Sequence, residues 1–171
     1  HSMKEKNKFP YLYESISVIQ KVIQQFQVEK IIMGTGFGAP GVVLLDILRK
    51  INSDIKIFYI DTDLLFKETY DLKDKLEEYY NLKFIRFSTQ ISIEKQQELH
   101  GDKLWKTNPN LCCNIRKVLP LKNGLKDFDV WITGIRKFQT QMRKNSKIIE
   151  YNEPYNVTKV NPLINWTHNQ I

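Results

Sequence analysis

A chain of 171 residues, 42% hydrophobic and 12% aromatic, has enough apolar material for a packed core, which excludes a disordered protein. Two cysteines exclude a disulfide-stapled scaffold, and no apolar run approaches the length of a membrane span. The formal net charge of +7 favours an anionic partner, but the basic residues are dispersed, with no arginine-rich arm and no aromatic-interleaved RNA motif, so neither nucleic acid nor a membrane is expected as partner. Nothing at the N-terminus resembles a secretion signal, and free thiols suit a reducing compartment, so a cytoplasmic location is expected.

Ile16, Ile19, Val22, Ile23 and Phe26 recur at helical spacing and predict an amphipathic helix from about Tyr13 to Gln27. Val28 to Met33 reads as a buried strand, and Gly34-Thr-Gly-Phe-Gly-Ala-Pro-Gly41 follows it as a glycine loop. Helical periodicity resumes from Val42 to Lys50, with Pro40 where a first turn tolerates it. Ile55 to Ile60 is a second strand ending at Asp61, Phe66 to Tyr80 a charged helix, Lys83 to Phe87 a third strand and Ile91 to His100 a helix. Gly101 to Asn110 reads as a polar loop, Val130 to Thr133 as a fourth strand, and Asn161 to His168 as a turn entering a helix. Strands and helices in alternation imply an α/β fold, an open parallel sheet with helices on both faces. No linker or repeat divides the chain; with His1-Ser2 set aside as a cloning remnant, one domain over residues 3–171 is expected.

Cys112-Cys113 is the most informative pair, because the only two cysteines are neighbours. A disulfide between adjacent residues closes a strained ring, so thiols placed just before Arg116-Lys117 are better suited to binding a metal or cluster; the alternative is two small buried residues of no chemical consequence. A four-thiolate cluster would be only half supplied. The other ligands then lie beyond Ile171, or come from a second subunit, or the pair binds nothing.

Three further groups stand where strands end. The glycine loop opens a helix whose free amides form an anion site, although it is neither a Walker loop nor a dinucleotide fingerprint, and a plain turn is the other reading. Asp61 and Thr62 end a strand, where a carboxylate can accept from a ribose hydroxyl or adenine amine and a threonine can bond a base edge; simple capping of the next helix is the alternative. Arg136 and Arg143 follow the fourth strand and could hold a phosphosulfate through paired charge-assisted bonds, with Lys137 and Lys159 as nearby candidates; a charged surface loop is the ordinary alternative. His100 and His168 have no partner at metal spacing.

These blocks in order resemble the adenylyl-sulfate and 3'-phosphoadenylyl-sulfate reductases of sulfate assimilation. The matching stretches are the glycine loop and helix ending Gly41-Val-Val-Leu-Leu-Asp46, Asp61-Thr-Asp-Leu-Leu-Phe-Lys-Glu-Thr-Tyr70, His100-Gly-Asp-Lys-Leu-Trp105, Asn108-Pro-Asn-Leu-Cys-Cys-Asn-Ile-Arg-Lys-Val-Leu-Pro-Leu121, Trp131-Ile-Thr-Gly-Ile-Arg136 and Lys159-Val-Asn-Pro-Leu-Ile-Asn-Trp166, covering roughly Val28 to Ile171. The cysteine block is that of the cluster-bearing branch.

The resemblance implies an adenine nucleotide alpha-hydrolase-like fold, related to PP-loop and Rossmann-like proteins. It implies substrate contacts from Gly36, Phe37, Gly38, Asp61, Thr62, Lys117, Arg136, Arg143 and Lys159, with the nucleotide between Gly34–Gly41 and Asp61–Asp63. Cys112 and Cys113 would be two ligands of a 4Fe-4S cluster. A cysteine near the family's C-terminus attacks sulfur and releases AMP or its 3'-phosphate, and thioredoxin or glutaredoxin then frees sulfite; a homo-oligomer is compatible with this. The family's later Cys-x-x-Cys and Glu-Cys-Gly segments have no counterpart here, so the nucleophile is expected beyond Ile171 and the chain alone is expected to be inactive. Gly36 stands where serine is usual, and Pro40 and Phe138 replace acidic residues. Two other readings are an ATP-using adenylating enzyme of the same superfamily, whose Ser-Gly-Gly-x-Asp-Ser loop is missing here, and a non-catalytic nucleotide-binding module.

Overall fold

The computed structural model describes residues 9–137 and 146–171. They form two compact units: residues up to Ile57 with Asp127–Ile171, and Phe58–Lys126.

The first unit begins with α1 (Pro10–Gln25), whose proline takes a first-turn position and whose buried stripe is Ser15, Val18, Ile19 and Val22. A single 3-10 turn (Val28–Lys30) precedes β1 (Ile31–Gly34), so the predicted strand loses its first three residues to a helical turn. The loop then enters α2 (Ala39–Ile51), which buries Leu44, Leu45, Ile47 and Leu48. Strand β4 (Val130–Ile132) pairs parallel with β1 and with β6 (Val157–Val160), giving the order β1-β4-β6-β5 within this unit. Strand β5 (Ile149–Asn152) runs antiparallel to β6. That hairpin adds one antiparallel pair at the edge of the expected open parallel sheet: only four residues separate the two strands, too few for the crossover that parallel pairing needs. Asn156 turns the chain with a left-handed φ of 53°, which asparagine tolerates.

The second unit holds most of β2 (Lys56–Ile60) and β3 (Ile85–Phe87), paired in parallel with α3 (Lys67–Tyr80) as their connection. Asn81, at φ 51°, ends α3 in the left-handed cap that asparagine accepts. Helix α4 (Ile93–His100) is started by Ser92, whose hydroxyl accepts from the Lys95 amide at 3.0 Å.

The expected polar loop is instead largely helical. It contains α5 (Leu104–Thr107) and leads through Asn108 into α6 (Pro109–Cys113), a π-helical turn (Asn114–Val118) and α7 (Leu119–Leu125). Asn108 caps α6 by accepting from the Leu111 amide at 3.2 Å, and Pro109 occupies the first turn. The widening has a local cause. Pro120 has no N–H for the Arg116 carbonyl and its ring would collide with that carbonyl, so the chain opens by one residue and the Leu119 amide bonds Asn114 O instead. Among the described residues no helix is long and apolar enough to cross a membrane.

Candidate functional site

In the first unit, the glycine loop ends β1 and delivers the uncapped N-terminus of α2: Gly38 is extended and no side chain accepts from the first-turn amides. Thr35 Oγ1 accepts from the Phe37 amide at 3.1 Å, folding the loop back on itself. The left-handed residue of the loop is Phe37 at φ 63°, buried, whereas the loop's glycines do not have positive φ. Glycine is required here for close approach. A Cβ on Gly41 would lie 2.6 Å from Thr35 Oγ1, while one on Gly36 would meet nothing within 4 Å.

The turn after β4 lies against this loop. A Cβ on Gly134 would come within 3.3 Å of the Pro40 backbone, so glycine lets the chain pass close to the start of α2 at this position. Asn161, fully buried, holds the turn: Thr133 Oγ1 donates to its Oδ1 at 2.5 Å, and its Nδ2 donates to Lys147 O at 2.7 Å. Further along, the Lys137 amide donates to Ile164 O at 2.7 Å. Arg136 is half-buried and its Nε is a buried donor without a partner. Lys159 lies over the Trp131 ring at 5.1 Å, with Tyr155 edge-on to the same ring. Thus the turn at Gly134 adjoins Pro40 and Gly41 at the end of the loop that holds Gly36, Phe37 and Gly38, and Arg136 follows two residues later. Arg143 and Phe138 lie outside the described residues.

In the second unit, Asp61 is buried and heavily engaged. Its Oδ1 accepts from Tyr70 OH at 2.6 Å and from the Asp63 amide at 2.8 Å, and its Oδ2 accepts from Arg86 Nε at 2.8 Å. Burial alone would raise the Asp61 pKa, but the Tyr70 and Arg86 bonds outweigh it and hold the carboxyl below the usual range. Burial and that carboxylate push Tyr70 up to about 12. Thr62 Oγ1 accepts from the Leu64 amide at 3.2 Å. Asp63, left-handed at φ 62°, is clamped between Arg86 Nη2 at 2.8 Å and Arg116 Nη1 at 3.0 Å.

Cys112 and Cys113 close α6 and face differently, as neighbours on a helix must: Cys112 is buried with Leu104 and Ile115, Cys113 is exposed. The Cys112 sulfur is 3.9 Å from Gln96 Nε2, and Gln96 Oε1 accepts from Arg116 Nε at 2.9 Å. Arg116 is 1% exposed and its Nη2 has no partner. Lys117, next along, is exposed. Among the described residues no three His, Cys, Asp or Glu side chains could hold a metal ion together. The pair can supply at most two thiol ligands to a metal group, and the buried one carries an amide donor beside a buried guanidinium with a donor to spare.

Sequence reasoning missed Arg86, Gln96 and Asn161. Alternation in β3 marks Arg86 as facing away from the core, but nothing local names its partners 23 and 25 positions away.

An α/β protein of mostly parallel strands, with an uncapped helix start after a glycine loop and a helix closed by paired thiols, is the class these features define. Residues 30–171 match the phosphoadenosine phosphosulfate reductase domain, and the chain belongs to that family. It is 39% identical over 158 residues to an adenosine 5'-phosphosulfate reductase of Bacillus anthracis, covering 92% of this chain and 70% of the relative. A Salinibacter ruber protein of the same name is 44% identical over 138 residues, which is 81% of this chain and 55% of that one. The crystal structure of phosphoadenylyl-sulfate reductase from Candida auris, a phosphate complex, superposes with a TM-score of 0.79 at 29% identity, covering 99% of this chain and 83% of that one. The NH3-dependent NAD synthetase of Campylobacter jejuni shares the fold alone, at a TM-score of 0.63 and 14% identity over 94% of this chain and 69% of its own.

Proposed function

We propose that this chain serves a sulfonucleotide reductase, which converts adenylyl sulfate, or 3'-phosphoadenylyl sulfate, to sulfite and AMP, or adenosine 3',5'-bisphosphate. The observation that carries this reading is family membership over residues 30–171 together with 39% identity to a named adenosine 5'-phosphosulfate reductase. Sulfur gains two electrons in the reaction, and a thioredoxin- or glutaredoxin-type dithiol supplies them by becoming a disulfide.

The phosphosulfate end is assigned to the first unit. Gly36, Phe37 and Gly38 with the free amides of α2 favour an oxyanion, and Arg136, whose buried Nε lacks an acceptor, adds a charge-assisted donor beside the same helix start. Lys159 adds positive charge at the end of the strand next to β4. In the second unit Asp61 and Thr62 keep a nucleoside role through the acceptor capacity left over after their internal bonds, and Lys117 supplies an exposed cation.

Cys112 and Cys113 are assigned to two ligands of a 4Fe-4S cluster, which would supply a fixed local charge rather than a covalent step. With both thiols so used, no cysteine of this chain remains to attack sulfur, so the attacking thiol is not one of these 171 residues. A cytoplasmic location and a homo-oligomer are compatible with this function.

Calorimetry on the chain tests it. Adenylyl sulfate should bind more tightly than AMP, and AMP more tightly than inorganic sulfate. Absence of any adenine nucleotide binding would sink the reading.

A further inference from the structure

The only polar contact described for the Cys112 sulfur comes from Gln96, and that contact is oriented. Arg116 Nε can only donate, so the Gln96 atom facing it at 2.9 Å must be the carbonyl oxygen, and the amide nitrogen necessarily points to the other side, where Cys112 lies at 3.9 Å. Arg116 is itself held by Asp63 at 3.0 Å, and Asp63 by Arg86 at 2.8 Å. Gln96 and Arg116 are each 1% exposed, so neither group can exchange these partners for water. A buried primary amide set on a sulfur fixes the side from which that sulfur is met, because the amide cannot turn over without losing the Arg116 bond. The same pocket leaves Arg116 Nη2 without an acceptor, a sign that an anionic group belongs there.

We propose that Gln96 is a positioning residue for the sulfur of Cys112: its carboxamide, locked by Arg116, donates the N–H···S bond that fixes the direction in which Cys112 presents its sulfur as a ligand. The proposal rests on the reductase reading only for the kind of metal group the sulfur would face. The distance of 3.9 Å is long for a nitrogen donor to oxygen but within reach for the larger sulfur atom.

Anaerobic cobalt(II) titration of the 171-residue chain, followed by the sulfur-to-cobalt charge-transfer absorption, tests it. Wild type should show a band, weak with so few ligands, that Cys112→Ser removes; a wild-type chain with no band overturns the proposal. Gln96→Leu should weaken cobalt binding on the order of tenfold or more, as loss of a group that orients a ligand typically does. Gln96→Glu should weaken it at least as much, since a carboxylate offers the sulfur no donor, while keeping the Arg116 contact and a thermal midpoint close to wild type. If Gln96→Glu folds normally and binds cobalt with wild-type affinity, the proposal is overturned. It is overturned also if Cys112→Ser leaves the band unchanged, because the sulfur then faces no metal. A chain that passes the cobalt comparison but binds no adenylyl sulfate would remove the reductase reading and leave the role of Gln96 standing.

Discussion

Arg116 and Asp63 stand 53 positions apart in the chain and meet at 3.0 Å, with Arg116 almost wholly withdrawn from solvent and Asp63 in a left-handed conformation. The pair joins the loop after β2 to the π turn after the cysteines, inside one compact unit.

Removing Arg116 should therefore unfold this unit more readily than removing Arg86. Arg116→Ala leaves Gln96 and Asp63 short of a donor and opens a cavity, with an expected cost of about 2–4 kcal/mol. Arg86 is nearly half exposed, so Arg86→Ala should cost only about 1 kcal/mol despite its two carboxylate contacts. Urea midpoints at constant m decide between them; equal losses would mean that burial of Arg116 carries no special weight.

Asp61 should make stability depend on acidity. Its folded pKa is depressed, so its contribution is complete above the unfolded value of about 4 and disappears as pH falls through the lower folded value. The stability gap between wild type and Asp61→Asn should be constant near neutrality and shrink below about pH 4. A gap unchanged down to pH 2.5 would show that the carboxylate charge is not what the Arg86 and Tyr70 contacts stabilise.

Gly124→Ala is expected to be costly although alanine is the better helix former. A Cβ there would lie 2.3 Å from the Phe87 ring, which is stacked on Phe58 at 4.2 Å and has little room to move. Overpacking of this kind costs about 1–3 kcal/mol, more than the roughly 1 kcal/mol that helix propensity returns. Thermal denaturation should show a lowered midpoint; a raised one would mean that the ring shifts freely.

The glycine loop separates into tolerant and intolerant positions. Gly36→Ser, which installs the residue usual in the family, meets open space and should leave the melting temperature within a degree or two, corresponding to well under about 0.5 kcal/mol. Gly41→Ser drives a Cβ into Thr35 Oγ1 and should lower stability by about 1–3 kcal/mol while disordering the start of α2. Parallel melting curves check both.

Arg136→Ala should weaken adenylyl sulfate on the order of tenfold or more while changing adenosine little, because a charge-assisted donor bonds the anion and not the nucleoside. Arg136→Lys should recover only part of the loss, since the ammonium keeps the charge without the fork. Equal losses for the two ligands would assign Arg136 to the fold.

Local features were legible without coordinates. The stripe of Val18, Ile19 and Val22 placed α1, Pro40 and the flanking glycines placed the start of α2, and the ordered motifs named the family, because periodicity, capping and turn chemistry act over a few residues. The adjacency of Cys112 and Cys113 likewise marked the helix end that matters. Other features were not legible. The antiparallel β5–β6 hairpin lacks a strong turn dipeptide, and the helical run from Asn108 was hidden by a polar stretch whose asparagine and proline serve as a cap and first turn. Arg116 is buried within the π-helical turn that precedes Pro120, and the Gln96–Cys112, Gln96–Arg116 and Arg86–Asp61 contacts join residues 16, 20 and 25 positions apart. A sequence settles which side chains can donate, accept or carry charge; which of them meet out of reach of water is decided by packing, because only there does an unmet donor cost enough to select a single partner.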